Sequence, residues 1–327
     1  MKSLLRTLAV ALSVFTVQLS VNAQDAATPP STILHFDNYA NLPQRVLYSA
    51  YANDGQNLYS LSGQLYNKRV STQVMRFNPD ANTWQVLSDK LTPKIQSTAV
   101  YVPSVHKIYV MGGLKAYGTG LFYEVETVDT ETGEAKVLKV SHPDPGLNGG
   151  MAVWNNKVYW FGGSSRAYGS SRLYEFDVIT EKFKRLADMP RSAETSGTVV
   201  NGVLYTFGGY NPFNRFVYRE IYAYDIAKNS WKQVGKLPEQ VSATSVTQSG
   251  NYIFLTGSYG KPEFAGYFDT SNNAFVKLKT NMVGRRYGSS AVINNKLFVY
   301  AGTSTIIDPG QVSVQGASIQ PLLSAKN

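Results

Sequence analysis

Residues 195–234 read TSGTVVNGVLYTFGGYNPFNRFVYREIYAYDIAKNSWKQV, and the alternation inside this stretch decides the fold. An apolar run over 195–200 meets Asn201-Gly202, a two-residue pair suited to the positive backbone angles of a tight hairpin. A second run over 203–207 ends in Gly208-Gly209, a third over 219–224 ends in Asp225, and a fourth occupies 230–234. Four short strands separated by turn residues make one small antiparallel sheet.

The same punctuation recurs along the chain. An apolar residue plus Asp or Asn is followed six residues later by a ring at Phe77-Asn78 to Trp84, Phe176-Asp177 to Phe183, Tyr224-Asp225 to Trp231 and Phe268-Asp269 to Phe275. Val128-Asp129 keeps the register but ends on Ala135. Upstream of each doublet an apolar run closes on glycine, at Gly63, Gly112-Gly113, Gly162-Gly163, Gly208-Gly209 and Gly257, and a sixth run ends at Gly302 without a doublet after it. Asn155-Asn156 and Asn294-Asn295 stand where Asn201-Gly202 stands, because Asn tolerates positive φ. Repeats of about 45–50 residues with these signs mark a propeller.

The glycine doublets, the aromatic after Asp and a Leu/Met-Pro step (Leu42-Pro43, Met189-Pro190, Leu237-Pro238) together resemble the kelch repeat family. The basic residue that this family carries a few positions past Pro is irregular here, approximated by Arg45, Lys94, Arg191 and Arg286. The resemblance implies an all-β, six-bladed kelch-type propeller with blades near 44–90, 91–141, 142–188, 189–236, 237–281 and 282–327. The last blade needs an outer strand, and residues 33–36 from the N-terminal side (within 32–42) are expected to supply it. Residues 318–323 are the competing closure.

Residues 1–23 read as a cleavable signal peptide, with Lys2 and Arg6 before an apolar stretch and Val21-Asn22-Ala23 at the cleavage position. The single propeller domain then spans 24–327, with no membrane span after cleavage and a periplasmic or secreted location. The chain has no cysteine and carries a formal charge of +9. The first excludes a disulfide framework, and the second favours anionic partners. Nucleic acid is not expected, because no run of five basic residues occurs. His35, His106 and His142 lack metal-ligand spacing. The Cys-linked tyrosine of a kelch-type copper oxidase is excluded outright, and neither a metal nor another cofactor is expected.

The loops after the second strand of each repeat place rings beside cations, among them Tyr117, Arg166, Tyr168, Arg172, Tyr210, Arg215, Arg219 and Tyr259. Rings cover the apolar faces of sugars and guanidinium groups grip carboxylates through paired hydrogen bonds. Substrate binding is therefore expected at Arg172, Arg215, Arg219, Arg286, Tyr168, Tyr210 and Tyr259. Glu220 and Glu194 are the carboxylates placed to move a proton. A solvated basic rim would show the same composition. Among kelch propellers, an exported and cofactor-free example looks like the sialic acid mutarotase family, which implies an isomerase acting on an anionic carbohydrate. The alternative is a non-catalytic propeller presenting the same face to a glycan or a protein.

Overall fold

The computed structural model describes residues 33–116, 120–165, 167–305 and 310–324. The expected signal segment, Tyr117 and Arg166 lie outside them. Six four-stranded antiparallel sheets follow one another along the chain. Their innermost strands are Ala50–Asn53, Thr98–Val102, Gly150–Trp154, Glu194–Val200, Ser245–Ser249 and Ser289–Ile293. Each of these touches the innermost strands of the blades before and after it, and the sixth touches the first, so the sheets form a closed ring.

The ring is closed from the N-terminal side. Asp37–Tyr39 pairs antiparallel with Val314–Ser318, Asn38 facing Gln315, and becomes the outermost strand of blade 6. The expected position was residues 33–36, and the structure corrects it: Ile33–Leu34 instead runs parallel to Lys279–Thr280 beside blade 5. A segment of Leu34 and Phe36 side chains is thereby buried against Leu278 and Met282, which a solvent-facing outer strand would not allow. The competing segment forms a short helix, Gln320–Ser324. Closure completes the sixth blade, and each blade keeps only one short outer edge strand.

The core consists of six apolar wedges, one between each pair of neighbouring blades. In three blades the aromatic of the doublet packs on the ring across its hairpin, at 5.1 Å for Phe77 and Trp84, 4.7 Å for Phe176 and Phe183, and 5.0 Å for Tyr224 and Trp231. The doublet carboxylate or amide has a local task. Asn78, Asp177 and Asp225 accept backbone N–H bonds within the following turn, which fixes the outer hairpin. Two blades add a latch to the preceding blade. Trp84 donates its indole N–H to the Ala40 carbonyl at 3.0 Å while Asn82 accepts the Ala40 N–H, and Trp231 and Asn229 repeat both bonds on Ala187.

The glycine doublets are explained by crowding at the ring's inner rim. The first doublet position has positive φ in all six blades: Ser62, Gly112, Gly162, Gly208, Gly257 and Ala301. At Gly257 an added Cβ would stand 2.2 Å from the Arg285 carbonyl oxygen of the next blade. Lys94 and Arg285 occupy one equivalent position, two residues before the mouth of the channel, and both are fully buried. Lys94 pairs with buried Glu126 and also donates to the Thr92 carbonyl. Arg285 keeps its charge and donates to the carbonyls of Val283, Ala301 and Ser313 and to Gln315 Oε1. The blade 6 residue equivalent to Lys94 is thus Arg285, not Arg286, which lies one position on and is also buried. No helix among the described residues is long and apolar enough to cross a membrane.

Candidate functional site

Two residues before each innermost strand's first paired position, the chain turns over the central channel. Ala50, Thr98, Gly150, Ser196, Ser245 and Ser289 are equivalent, each paired with the residue before a doublet. The residues two positions earlier are Tyr48, Gln96, Asn148, Glu194, Ala243 and Tyr287, and all six line one cavity of about 430 Å³. Five of them have φ between 51° and 57°. Gln96 N–H bonds to the Tyr48 carbonyl, Asn148 N–H to Gln96, and Tyr287 N–H to Ala243, so the mouth is stitched from blade to blade. Glu194 differs because the blade 4 strand reaches further and pairs it with Tyr210.

Glu194 is the only acidic side chain lining this cavity among the described residues. Ser164 donates to one carboxylate oxygen at 2.5 Å and Asn148 Nδ2 to the other at 2.9 Å. Burial raises its pKa above the ordinary glutamate value, and the two hydrogen bonds pull against that rise. Across the mouth, burial pushes the Tyr287 phenol up, with the Glu194 charge adding to the shift. Tyr287 packs edge-on to Tyr48 at 5.8 Å and to Tyr259 at 6.3 Å. The Arg286 guanidinium lies over the Tyr259 ring, 4.3 Å from its centroid. Arg286 is 6 % exposed, and its Nε has no hydrogen-bond partner among the described residues.

Of the residues expected from sequence, Glu194, Tyr210 and Tyr259 line the cavity and Arg286 stands directly behind Tyr259. The others sit further out. Arg172 is ion-paired to Asp144 at 2.9 Å. Arg215 and Arg219 are exposed on the long hairpin of blade 4, and Glu220 accepts the Arg219 backbone N–H. Tyr168 and Phe213, 62 % and 70 % exposed, stack on one another at 5.3 Å on the rim between blades 3 and 4. Sequence reasoning missed Tyr48, Gln96, Asn148, Ala243 and Tyr287. The signal was present: each falls fourteen to sixteen residues before the first position of its doublet.

The opposite end of the channel opens into a space of about 400 Å³ lined mostly by Val, Ala, Ser and Thr with Asn53 and Gln248, where tyrosines are the only ionisable groups among the described residues. The carboxylate stands at the first mouth. Among the described residues no group of three or more His, Asp or Glu is placed to hold a metal ion. His142 is core: its Nδ1 accepts the Asp144 N–H, it packs against Trp160 and Phe183, and burial lowers its pKa to about 3.

Residues 49–258 match the family described as the KLHDC2/KLHL20/DRC7 Kelch-repeats domain. The chain is similar to an N-(sulfonatooxy)prop-2-enimidothioate sulfolyase of Thlaspi arvense, 27% identical over 54% of this chain and 57% of the relative. It is similar to the Kelch-like protein 23 of Homo sapiens, 27% identical over 56% of this chain and 32% of the relative. N-acetylneuraminate epimerase 1 of Escherichia coli O6:H1 is 25% identical over 55% of each chain. The chain thus spans between about a third and somewhat over half of these relatives' own length.

Proposed function

The chain belongs to the kelch-repeat propeller family, and on that premise we propose that it binds a small acidic sugar at the channel mouth, on the side of blades 4 to 6, and exchanges the sugar's anomers. One observation carries the reading: a half-buried carboxylate with a raised pKa, Glu194, lines the mouth, and the guanidinium of Arg286, whose Nε has no hydrogen-bond partner among the described residues, lies behind the lining ring of Tyr259. Arg286 supplies a cation for the sugar's carboxylate, and the Tyr259, Tyr210 and Tyr287 rings flank the sugar. The volume suits a ligand of monosaccharide size rather than a polymer. The relation to an N-acetylneuraminate epimerase supports the choice of acid.

Anomer exchange asks little of a protein. Glu194 accepts the proton of the anomeric hydroxyl as the bond between the anomeric carbon and the ring oxygen breaks. The ring oxygen takes a proton from water or from the Tyr287 phenol, leaving an open-chain carbonyl. Rotation and reclosure on the other carbonyl face reverse both transfers, so no atom or electron is left over. A carboxyl group whose pKa is shifted toward neutrality is better matched to this exchange than an ordinary one. The proposal includes export by residues 1–23, which predicts a secreted form beginning near Gln24 by mass spectrometry.

The test is proton NMR on freshly dissolved α-anomer of N-acetylneuraminate. The proposal expects anomer exchange faster than buffer and a return toward the buffer rate in Glu194→Gln. Exchange at the buffer rate with the wild type removes the enzymatic step. A second reading, a non-catalytic surface for a protein or glycan, is favoured by the exposed Tyr168–Phe213 stack on the rim and by the relation to Kelch-like protein 23. That reading expects binding without any acceleration.

A further inference from the structure

We infer that Ala243 sets the size limit of the ligand by leaving a notch in the ring of mouth residues. The inference rests on the acidic-sugar reading of that mouth. Five of the six equivalent positions carry Tyr48, Gln96, Asn148, Glu194 and Tyr287, all with side chains long enough to reach over the channel. Blade 5 alone presents a methyl group. Ala243 stands between the two groups assigned to the ligand, since Glu194 belongs to blade 4 and Arg286 to blade 6. In N-acetylneuraminate the carboxylate and the anomeric hydroxyl sit on one carbon, so contacts to Arg286 and Glu194 both lie at one end of the sugar, and the space above Ala243 receives what projects from its ring.

The notch has mixed chemistry. Tyr210, Val217 and Tyr259 give it apolar sides, while Ser242 and Thr244 flank its floor. An acylamino or polyhydroxylated branch has the matching combination of methyl, amide and hydroxyl groups. A hexuronic acid, whose ring carries only single hydroxyls, leaves the notch unfilled. Ala243 is accordingly a specificity-determining residue for branched sugar acids, and it takes no part in proton transfer.

The backbone permits a clean test. Ala243 has φ 52°, and Gln96 and Asn148 adopt φ 57° and 51° at the equivalent position. Ala243→Gln and Ala243→Asn therefore install side chains that the same local conformation already holds in blades 2 and 3. Titration calorimetry would compare N-acetylneuraminate, which is branched, with glucuronate, which is not. The inference expects Ala243→Gln to weaken N-acetylneuraminate at least about tenfold while glucuronate changes by less than about threefold, with Ala243→Asn intermediate. Equal weakening of both acids, or no change in either, overturns it. If Ala243→Gln lowers the melting midpoint, Ala243→Asn serves alone with the same two readouts. Failure of the wild type to bind either acid overturns the acidic-sugar reading itself and the inference with it, and is thus told apart from failure of the notch.

Discussion

The hydroxyl of Ser164 in blade 3 donates to the carboxylate of Glu194 in blade 4 at 2.5 Å. Two blades are joined at the mouth by the group that the proposed chemistry needs. The bond favours the ionised form and so opposes the effect of burial. Ser164→Ala should raise the Glu194 pKa further, followed by carbon-detected NMR titration of the side-chain carboxyl. An unchanged or lower pKa would show that the hydroxyl does not hold the carboxylate in solution.

Glu194 also sets a pH dependence of stability. Its folded pKa is raised, so the folded state binds the proton more tightly than the unfolded chain does. The cost of keeping it ionised is absent below the unfolded value near 4.3, grows as pH rises through the window between the two pKa values, and is constant above it. Glu194→Gln removes that cost. Its melting midpoint relative to wild type should therefore be higher at pH 7 than at pH 3.5, as measured by calorimetry at both. A difference that is the same at the two pH values contradicts the assignment.

Lys94 and Glu126 form a buried ion pair whose members fail separately. Burial lowers the Lys94 pKa and the Glu126 charge works against that. Lys94→Ala leaves an uncompensated carboxylate and should cost about 3–5 kcal/mol in urea unfolding. Replacing both with Lys94→Met and Glu126→Leu should recover most of that loss. A double variant as unstable as the single one would mean that packing, not charge, is at stake.

The paired latches give an internal control. Trp84→Phe and Trp231→Phe each remove one indole donor to a carbonyl in the preceding blade. Each should cost about 0.5–1.5 kcal/mol for the lost hydrogen bond, in addition to the change in packing. Because the two sites repeat the same geometry, the two losses should agree within about 0.5 kcal/mol. A much larger loss at Trp84 would show that the ring seam, where the chain ends meet, is weaker than the other joints.

The architecture was legible because each of its signs has one local cause. Asp225 caps a hairpin, Asn201-Gly202 turns one, and Gly257 sits where no Cβ fits, so spacing alone exposes the blades. Closure by the N-terminal side was legible from an unpaired fourth strand, but its location was not. Leu34 and Phe36 are as apolar as an outer strand needs, and only tertiary contact sends them toward Leu278 while Asp37–Tyr39 takes the edge. The site was half legible. Loops announced themselves through Tyr and Arg composition, which drew attention outward to Arg215 and Arg219. The channel mouth is made by single residues from six distant segments, and Asn148 and Ala243 are marked in the sequence only by their fixed spacing from the doublets, not by their composition.

The proposed ligand sits at the mouth lined by Glu194 and Tyr259, with Arg286 behind Tyr259, and not on the outer rim. Saturation-transfer difference NMR with N-acetylneuraminate tests this directly on three proteins: wild type, Arg286→Met, and the Arg215→Ala/Arg219→Ala pair. The expected results are a transfer signal for wild type, its loss in Arg286→Met, and its survival in the rim double variant. A signal that survives Arg286→Met and disappears from the rim variant would contradict it.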